Sequence, residues 1–181
     1  MDEGFITSVD KEDSENEKRK RGRGSQSKST VMVMASTAIG KKTKKKHKKP
    51  TQFRYVKMQV LDNMLGETVI KQVQNNIKTE SVVKTDNYSS YSGIKNNVWC
   101  HFASCVKPKD ASKVLPWVHT AISNVKRSLL GTYHMVSMKY IQDYLDEFCY
   151  KVNRRYFGND LFDRLLIACV SINYKNYVTD Y

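Results

Sequence analysis

The spacing of the apolar residues changes along the chain, and this change limits the fold more than any other feature. Apolar and polar residues alternate over 56–60, as in a strand that is covered on one face. A few residues later, Leu65, Val69 and Val73 recur at intervals of four, which is typical of an amphipathic helix. Since both periods occur in a chain of 181 residues, we predict a single mixed α/β domain.

The predicted elements follow the order strand, strand, strand, helix, strand, helix or loop, strand, helix. Asn63 is expected to cap the first helix, while Pro116 suits the first turn of the next helix and Gly131 its C-terminal cap. Ser137 is expected to cap a further helix, and an apolar stripe predicts a last one. The predicted strands are 1–7, 30–35, 56–60, 82–86 and 98–102, and the predicted helices are 63–77, 116–131, 137–152 and 161–169. A mixed sheet, whose first three strands are antiparallel, is the simplest assembly of these elements.

Positive charge is concentrated in one part of the chain. Lys and Arg total 31 against 18 Asp and Glu, which gives a net charge of +13. Thirteen of these basic residues lie between Lys18 and Lys49, where no acidic residue occurs. This concentration of charge predicts a polyanion as partner. We predict one domain over 1–172, with a basic hairpin loop at 18–50, and a C-terminal tail at 173–181. The lysine run at 41–49 also resembles a nuclear-import string.

Two classes of protein are disfavoured by composition. Neither an apolar run of about 18 residues nor a signal peptide is present, which favours a cytoplasmic protein without a membrane partner. The cysteines contain no C-x2-C pair, so buried free thiols are favoured over a zinc site. The four are Cys100, Cys105, Cys149 and Cys169.

The candidate catalytic residues are two acids, together with a histidine and a lysine on one predicted helix. Asp2 lies at the N-terminus, Asp86 ends a predicted strand, and His119 and Lys126 are seven residues apart on one predicted helix. Acids and a base in this arrangement suggest metal-assisted phosphodiester chemistry on DNA. Each residue also has a simpler explanation: Asp2 as part of an acidic tail, Asp86 as a turn residue, and His119 as a packed histidine near Trp117.

Five short strings occur in an order that resembles insertion-sequence transposases of the ISXO-like type. The resemblance runs from Asp2 to about Val170. The strings are Asp2-Glu3-Gly4-Phe5-Ile6; Arg21-Gly22-Arg23-Gly24-Ser25-Gln26-x-Lys28; Thr85-Asp86-Asn87-Tyr88-x-x-Tyr91; His119-x6-Lys126-Arg127-x3-Gly131-Thr132-Tyr133-His134; and Tyr144-Leu145-Asp146-Glu147-Phe148-x4-Asn153-Arg154-Arg155. Any one of them is a poor signal, but five in order make coincidence an unsatisfactory explanation.

The resemblance implies a fold and a metal site. The fold is ribonuclease H-like: a mixed five-stranded sheet flanked by helices, with the first and fourth strands side by side and an additional C-terminal helical part. Three acidic positions of such enzymes hold two divalent cations, Mg²⁺ or Mn²⁺. Asp2 and Asp86 match the first two positions, and His119 occupies the third, where it implies better use of Mn²⁺ than of Mg²⁺. Glu147 is an alternative third ligand.

The same resemblance implies contacts with double-stranded DNA. The expected contact residues are Lys126, Arg127, Arg23, Lys28, Arg154 and Arg155, although the last two also suit the positive end of a helix. A homo-oligomer assembled on transposon ends and target DNA is expected, in the bacterial cytoplasm and associated with the nucleoid. Because the family places a DNA-binding module before the position of Asp2, N-terminal truncation is expected as well.

Three functions remain open from the sequence. The first is a DNA transposase that cleaves insertion-sequence ends and joins them to target DNA. The second is a truncated, inactive remnant that binds DNA or pairs with full-length transposase. The third, outside the family, is a basic RNA-binding or ribosome-associated protein whose carboxylates are incidental.

Overall fold

The computed structural model describes residues 1–8, 28–39, 51–105, 111–134 and 136–171. These residues confirm the prediction of a mixed α/β structure. The strands are β1 (Asp2–Thr7), β2 (Lys28–Ile39), β3 (Thr51–Leu61), β4 (Val82–Asp86) and β5 (Cys100–Ser104), and the α-helices are α1 (Gly66–Asn76), α2 (Ala111–Val114), α3 (Pro116–Tyr133), α4 (Ile141–Arg154) and α5 (Leu161–Ser171). Short 3₁₀ helices occupy Ser89–Asn96, Met138–Tyr140 and Arg155–Asp160. None of the described helices is both long and apolar enough to cross a membrane.

The first three strands form an antiparallel sheet with β2 in the centre. Residues 31–34 of β2 are all buried, and their side chains alternate between the two faces. Val31 and Val33 belong to one hydrophobic core, and Met32 and Met34 to another. A central strand covered on both faces is apolar at every position, which explains why this segment shows no alternation in the sequence.

The two cores lie on opposite faces of this sheet. One contains buried residues of α3 and α4, including Val125 and Leu145, against β2 and β3. The other contains Val69 and Val73 of α1 and Tyr91 of the first 3₁₀ helix. The result is a layered arrangement in which β1 packs against α3 on one side.

The remaining strands, β4 and β5, pair in parallel as a separate two-stranded sheet. The prediction of one five-stranded sheet is therefore not met by the described residues, which form sheets of three and two strands. A hydrogen bond from the Met1 ammonium to the Lys84 carbonyl (2.7 Å) connects the start of β1 to β4. The buried Val83 also joins the core on the β4 side. Thus β1 and β4 are neighbours, as predicted, but share no strand ladder.

Several predicted boundaries are wrong, for local reasons. Asn63 is not the N-cap of α1; its side chain accepts hydrogen bonds from the Leu65 amide before the helix (3.1 Å) and from the Thr68 hydroxyl in the first turn (2.7 Å). Helix α3 starts at Pro116 as predicted but continues past Gly131 to Tyr133, and His134 after it has a positive φ of 56°. Ser137 precedes a 3₁₀ turn rather than α4 itself, and β5 begins two residues later than predicted.

Other expectations concern exposure. Helix α5 forms as predicted, but its large apolar side chains remain 39–84% exposed. The cysteines are free; Cys149 is buried, and burial raises the pKa of its thiol to about 11. Cys105 and Cys169 are exposed, so the prediction of burial is wrong for these two.

Within the predicted basic loop at 18–50, residues 28–39 belong to β2; the rest of that loop and the predicted tail at 173–181 lie outside the described residues.

Candidate active site

Three carboxylates meet where β1 begins and β4 ends. Asp2 and Glu3 open β1, and Asp86 is the last residue of β4. Each offers one oxygen, and these oxygens lie within 4.8 Å of one another. The structure thus brings together the two acids predicted from the sequence. It adds Glu3, which the sequence analysis had assigned no role.

Glu3 reaches the cluster from a strand position that normally points to the other face of the sheet. The hydroxyl of Tyr91 donates a hydrogen bond to Oε2 of Glu3 (3.1 Å). Tyr91 is itself only 1% exposed, and burial together with the nearby carboxylates raises the pKa of its phenol. This tyrosine therefore stays protonated and holds Glu3. The sequence signals for Glu3 were its acidic side chain next to Asp2 and its place in the first of the five strings.

Simultaneous ionisation of all three carboxylates is unfavourable in this cluster. Burial is the main cause that raises the pKa of Asp2 to about 7, and repulsion from Glu3 and Asp86 adds to it. The Glu3 amide, which donates to Oδ1 of Asp2 (2.9 Å), and the Met1 ammonium act in the opposite direction. Oxygen ligands are those that Mg²⁺ and Mn²⁺ prefer, and a divalent cation would relieve this repulsion. The donor set fits such an ion.

His119 lies next to the cluster without being part of it. It extends from α3, and its Nε2 is 3.6 Å from Oδ2 of Asp2. This nitrogen is buried and has no hydrogen-bond partner in the described part of the chain. The group of mutually close ligand atoms consists of Asp2, Glu3 and Asp86. Glu3 is thus the third member of this group, a place that the sequence predicted for His119.

Glu147, the alternative third ligand, lies on α4 and forms an ion pair with Lys151 one turn later (2.5 Å). Its side chain is 46% exposed. It is not a member of the carboxylate group. The surface pairing explains this residue without a metal.

The comparison with known families decides the classification. The model of the ISXO2-like transposase domain matches residues 1–153, which is more than four fifths of the chain. The chain belongs to this transposase family. The resemblance inferred from the five strings is therefore confirmed, and the three carboxylates lie within the matched part of this ISXO2-like domain. No curated protein and no solved structure matches the chain significantly.

The predicted DNA contacts of this ISXO2-like domain have different surroundings. Lys28 on β2 and Lys126 on α3 line the same pocket. Arg127, the residue after Lys126, is exposed. The guanidinium of Arg154 stacks over the ring of Tyr150 at 3.6 Å. Arg23 lies outside the described residues.

Arg155 is engaged within the domain. Its guanidinium donates to the Phe53 carbonyl (2.7 Å) and to the Arg54 carbonyl (3.3 Å) on β3. The preceding Asn153 also bonds to β3, from Nδ2 to the Val56 carbonyl (2.8 Å) and from the Val56 amide to Oδ1 (2.7 Å). These contacts explain the last string of the resemblance as a connection between α4 and β3.

Proposed function

We propose that this transposase domain catalyses divalent-metal-dependent cleavage at insertion-sequence ends and strand transfer into target DNA. The observation that carries the proposal is the convergence of Asp2, Glu3 and Asp86 at the meeting point of two strands. The proposed domain spans 1–172, which includes the matched residues 1–153. We expect it to act as a homo-oligomer on DNA in the bacterial nucleoid.

In this proposal the three carboxylates hold Mg²⁺ or Mn²⁺. When bound, two such cations activate water or a 3′-hydroxyl and stabilise the leaving oxygen of an in-line displacement. Asp2 and Asp86 keep the ligand role predicted from the sequence. Glu3, oriented by Tyr91, takes the place of the third carboxylate. Because Nε2 of His119 is 3.6 Å from Asp2, we assign His119 the positioning of that carboxylate.

Basic residues bind the DNA in this proposal. Lys28, Lys126 and Arg127 face the phosphates, and Arg154 and the Arg23 segment extend the contact. Arg155 is left out because its donors are used by β3. If about six phosphates are neutralised, log K should fall by about 5 per log unit of salt.

The test is Mn²⁺-dependent joining of a pre-cut oligonucleotide end to plasmid DNA. We expect Asp86→Ala to abolish joining, whereas Asp62→Ala, an exposed acid outside the cluster, should leave it unchanged. No joining by the unaltered protein, with salt-sensitive DNA binding intact, would instead indicate a remnant that binds without cutting. Preference for structured RNA over end DNA would support the RNA-binding alternative.

A second pair of variants identifies the third ligand. Glu3→Gln keeps an oxygen for Tyr91 but removes a charge, so we expect it to abolish joining with either metal. His119→Gln should lower joining in Mg²⁺ and Mn²⁺ by the same factor, because a positioning residue does not touch the ion. A changed ratio of the two rates in His119→Gln would assign the imidazole to the metal, as the sequence analysis predicted.

A further inference from the structure

The strand register of the β4–β5 pair places His101 beside Thr85. His101 is the register partner of Val83, and Ala103 is the register partner of Thr85. Side chains alternate along each strand, so His101 and Thr85 are diagonal neighbours on one face of the pair. The Nε2 atom of His101 lies 2.8 Å from the Thr85 hydroxyl oxygen. Thr85 is 0% exposed, so its hydroxyl depends on protein partners rather than on solvent.

The direction of this hydrogen bond follows from the second contact of Thr85. Its hydroxyl donates to the backbone carbonyl of Asp86 (2.7 Å), which can only accept. A hydroxyl has one proton, so the Thr85 oxygen must accept from His101. Nε2 of His101 therefore carries a proton. The three residues form one hydrogen-bonded link, from the imidazole through the hydroxyl to the backbone of Asp86.

This link ends at a residue that supplies one of the three clustered carboxylates. Asp86 is the last residue of β4, and its carbonyl belongs to the peptide plane that leads out of the strand. Two residues along, the Tyr88 amide donates to Oδ1 of Asp86 (3.2 Å). Rotation of the carbonyl would turn this peptide plane and displace the amide that orients the carboxylate. The bond from Thr85 opposes that rotation.

We propose that His101 is a positioning residue for Asp86, which it reaches through Thr85. The imidazole does not touch a cation. It holds the hydroxyl, the hydroxyl holds the Asp86 carbonyl, and the carboxylate stays within 4.8 Å of its two acidic neighbours. Partners that orient metal ligands typically contribute about 10–100-fold to metal affinity. The ligand role of Asp86 itself rests on the proposed function.

The first readout is Mn²⁺ binding without DNA, followed by the electron paramagnetic resonance signal of the free ion. Thr85→Val removes the hydroxyl and His101→Leu removes the donor, and we expect each to weaken Mn²⁺ binding by about 10–100-fold. Thr85→Ser keeps a hydroxyl and His101→Gln keeps a side-chain N–H, so both should retain most of the affinity. The double variant Thr85→Val/His101→Leu should bind no more weakly than the weaker single variant, because both changes break one link.

The second readout is taken without metal and reports on the backbone. Hydrogen exchange of the Tyr88 amide should be faster in Thr85→Val and His101→Leu, because the carboxylate that accepts from this amide is less firmly held. Leu145→Val is the control for lost stability, since it shortens a fully buried side chain in the core on the other face of the sheet. It should lower Tm and leave both readouts unchanged.

Two results would overturn the inference. One is unaltered Mn²⁺ affinity in Thr85→Val and His101→Leu with a Tm lowered as in Leu145→Val, which would make His101 only a stabilising partner of Thr85. The other is an additive loss of affinity in the double variant, which would show that the two residues act separately. A different result tests the proposed function: if the unaltered protein binds no Mn²⁺ while Tyr88 exchange is faster in both variants, the metal site is overturned and the link is supported.

Discussion

At the scale of single residues, the candidate site is a compromise between stability and binding. Asp2, Glu3 and Asp86 are close enough to share a cation, and the same closeness makes their charges repel. Burial, with this repulsion added to it, raises the pKa of Asp2 to about 7. Metal ligands must be deprotonated, so in the proposed metal site protons would compete with the cation for Asp2.

The pH dependence of stability follows from this pKa. The pKa of Asp2 is about 7 in the folded protein and 3.8 in the reference state, so the folded state binds the proton more tightly. The Asp2 contribution therefore destabilises the fold increasingly as pH rises from about 4 to 7. We expect Asp2→Asn, which keeps Oδ1 for the Glu3 amide, to raise the free energy of unfolding at pH 8 by about 1 kcal/mol after solvent screening, or about 2–4 °C in Tm.

Measurements at two pH values and with metal check this prediction. At pH 5 the difference between Asp2→Asn and the unaltered protein should shrink, and Asp62→Asn should show none at either pH. Added Mn²⁺ should reverse the order at pH 8, because it stabilises the unaltered protein and not the variant. A variant that is less stable at pH 8 without metal would contradict the assigned cost of a buried, charged Asp2.

At the scale of elements, α4 is fastened to the outer edge of the sheet by side-chain amides. Gln142 accepts from the Val60 amide (2.8 Å) and donates to the Met58 carbonyl (3.1 Å). Asn153, eleven residues or about three helical turns later, bonds to both polar groups of Val56. Since β3 is an edge strand, these bonds satisfy backbone groups that would otherwise be free to pair with another chain.

Removing either amide should destabilise the domain. Gln142→Ala and Asn153→Ala each leave partly buried backbone groups of β3 without a partner, so we expect each to lower the free energy of unfolding by about 1–3 kcal/mol. The exposed Asn76 bonds through its amide within α1, so Asn76→Ala should change the free energy of unfolding by less than about 0.5 kcal/mol. Denaturant unfolding measures all three. Equal effects of Asn153→Ala and Asn76→Ala would mean that the amide bonds to β3 contribute nothing.

At the scale of the whole molecule, stability comes from the three-stranded sheet and the helices on its two faces. The helices that cover it contribute buried residues to both cores, whereas α5 contributes none to the described cores. Leu145 of α4 is fully buried, and Leu166 of α5 is 49% exposed. The apolar content of a helix and its contribution to the core therefore differ within one chain.

The two leucines offer a direct comparison. Leu145→Ala leaves a cavity between α4 and the sheet, and we expect it to cost about 2–5 kcal/mol. Leu166→Ala is the same chemical change on an exposed helix, and should cost less than about 1 kcal/mol. Thermal unfolding of both variants checks this. A comparable loss for Leu166→Ala would show that α5 is packed against other residues in solution.

The sequence alone determined what depends on local pattern. The bounds of β4, the start of α3 at Pro116, the antiparallel order of the first strands and the membership of the transposase family all follow from spacing and short strings. Periodicity and turn chemistry act within a few residues, so they are readable without the fold. Asp2 and Asp86 were singled out as candidate ligands in the same way.

Only the tertiary structure decided which distant residues meet. It divided the strands into sheets of three and two, placed Glu3 rather than His119 within the carboxylate cluster, and brought Lys28 to Lys126. In it, Asn153 and Arg155 form hydrogen bonds with β3, and the large apolar side chains of α5 are exposed. These results depend on packing between segments far apart in the chain, where the same side chain can bind a ligand, a backbone group or solvent. Local sequence pattern does not distinguish these partners, because each satisfies the same hydrogen-bonding or charge requirement.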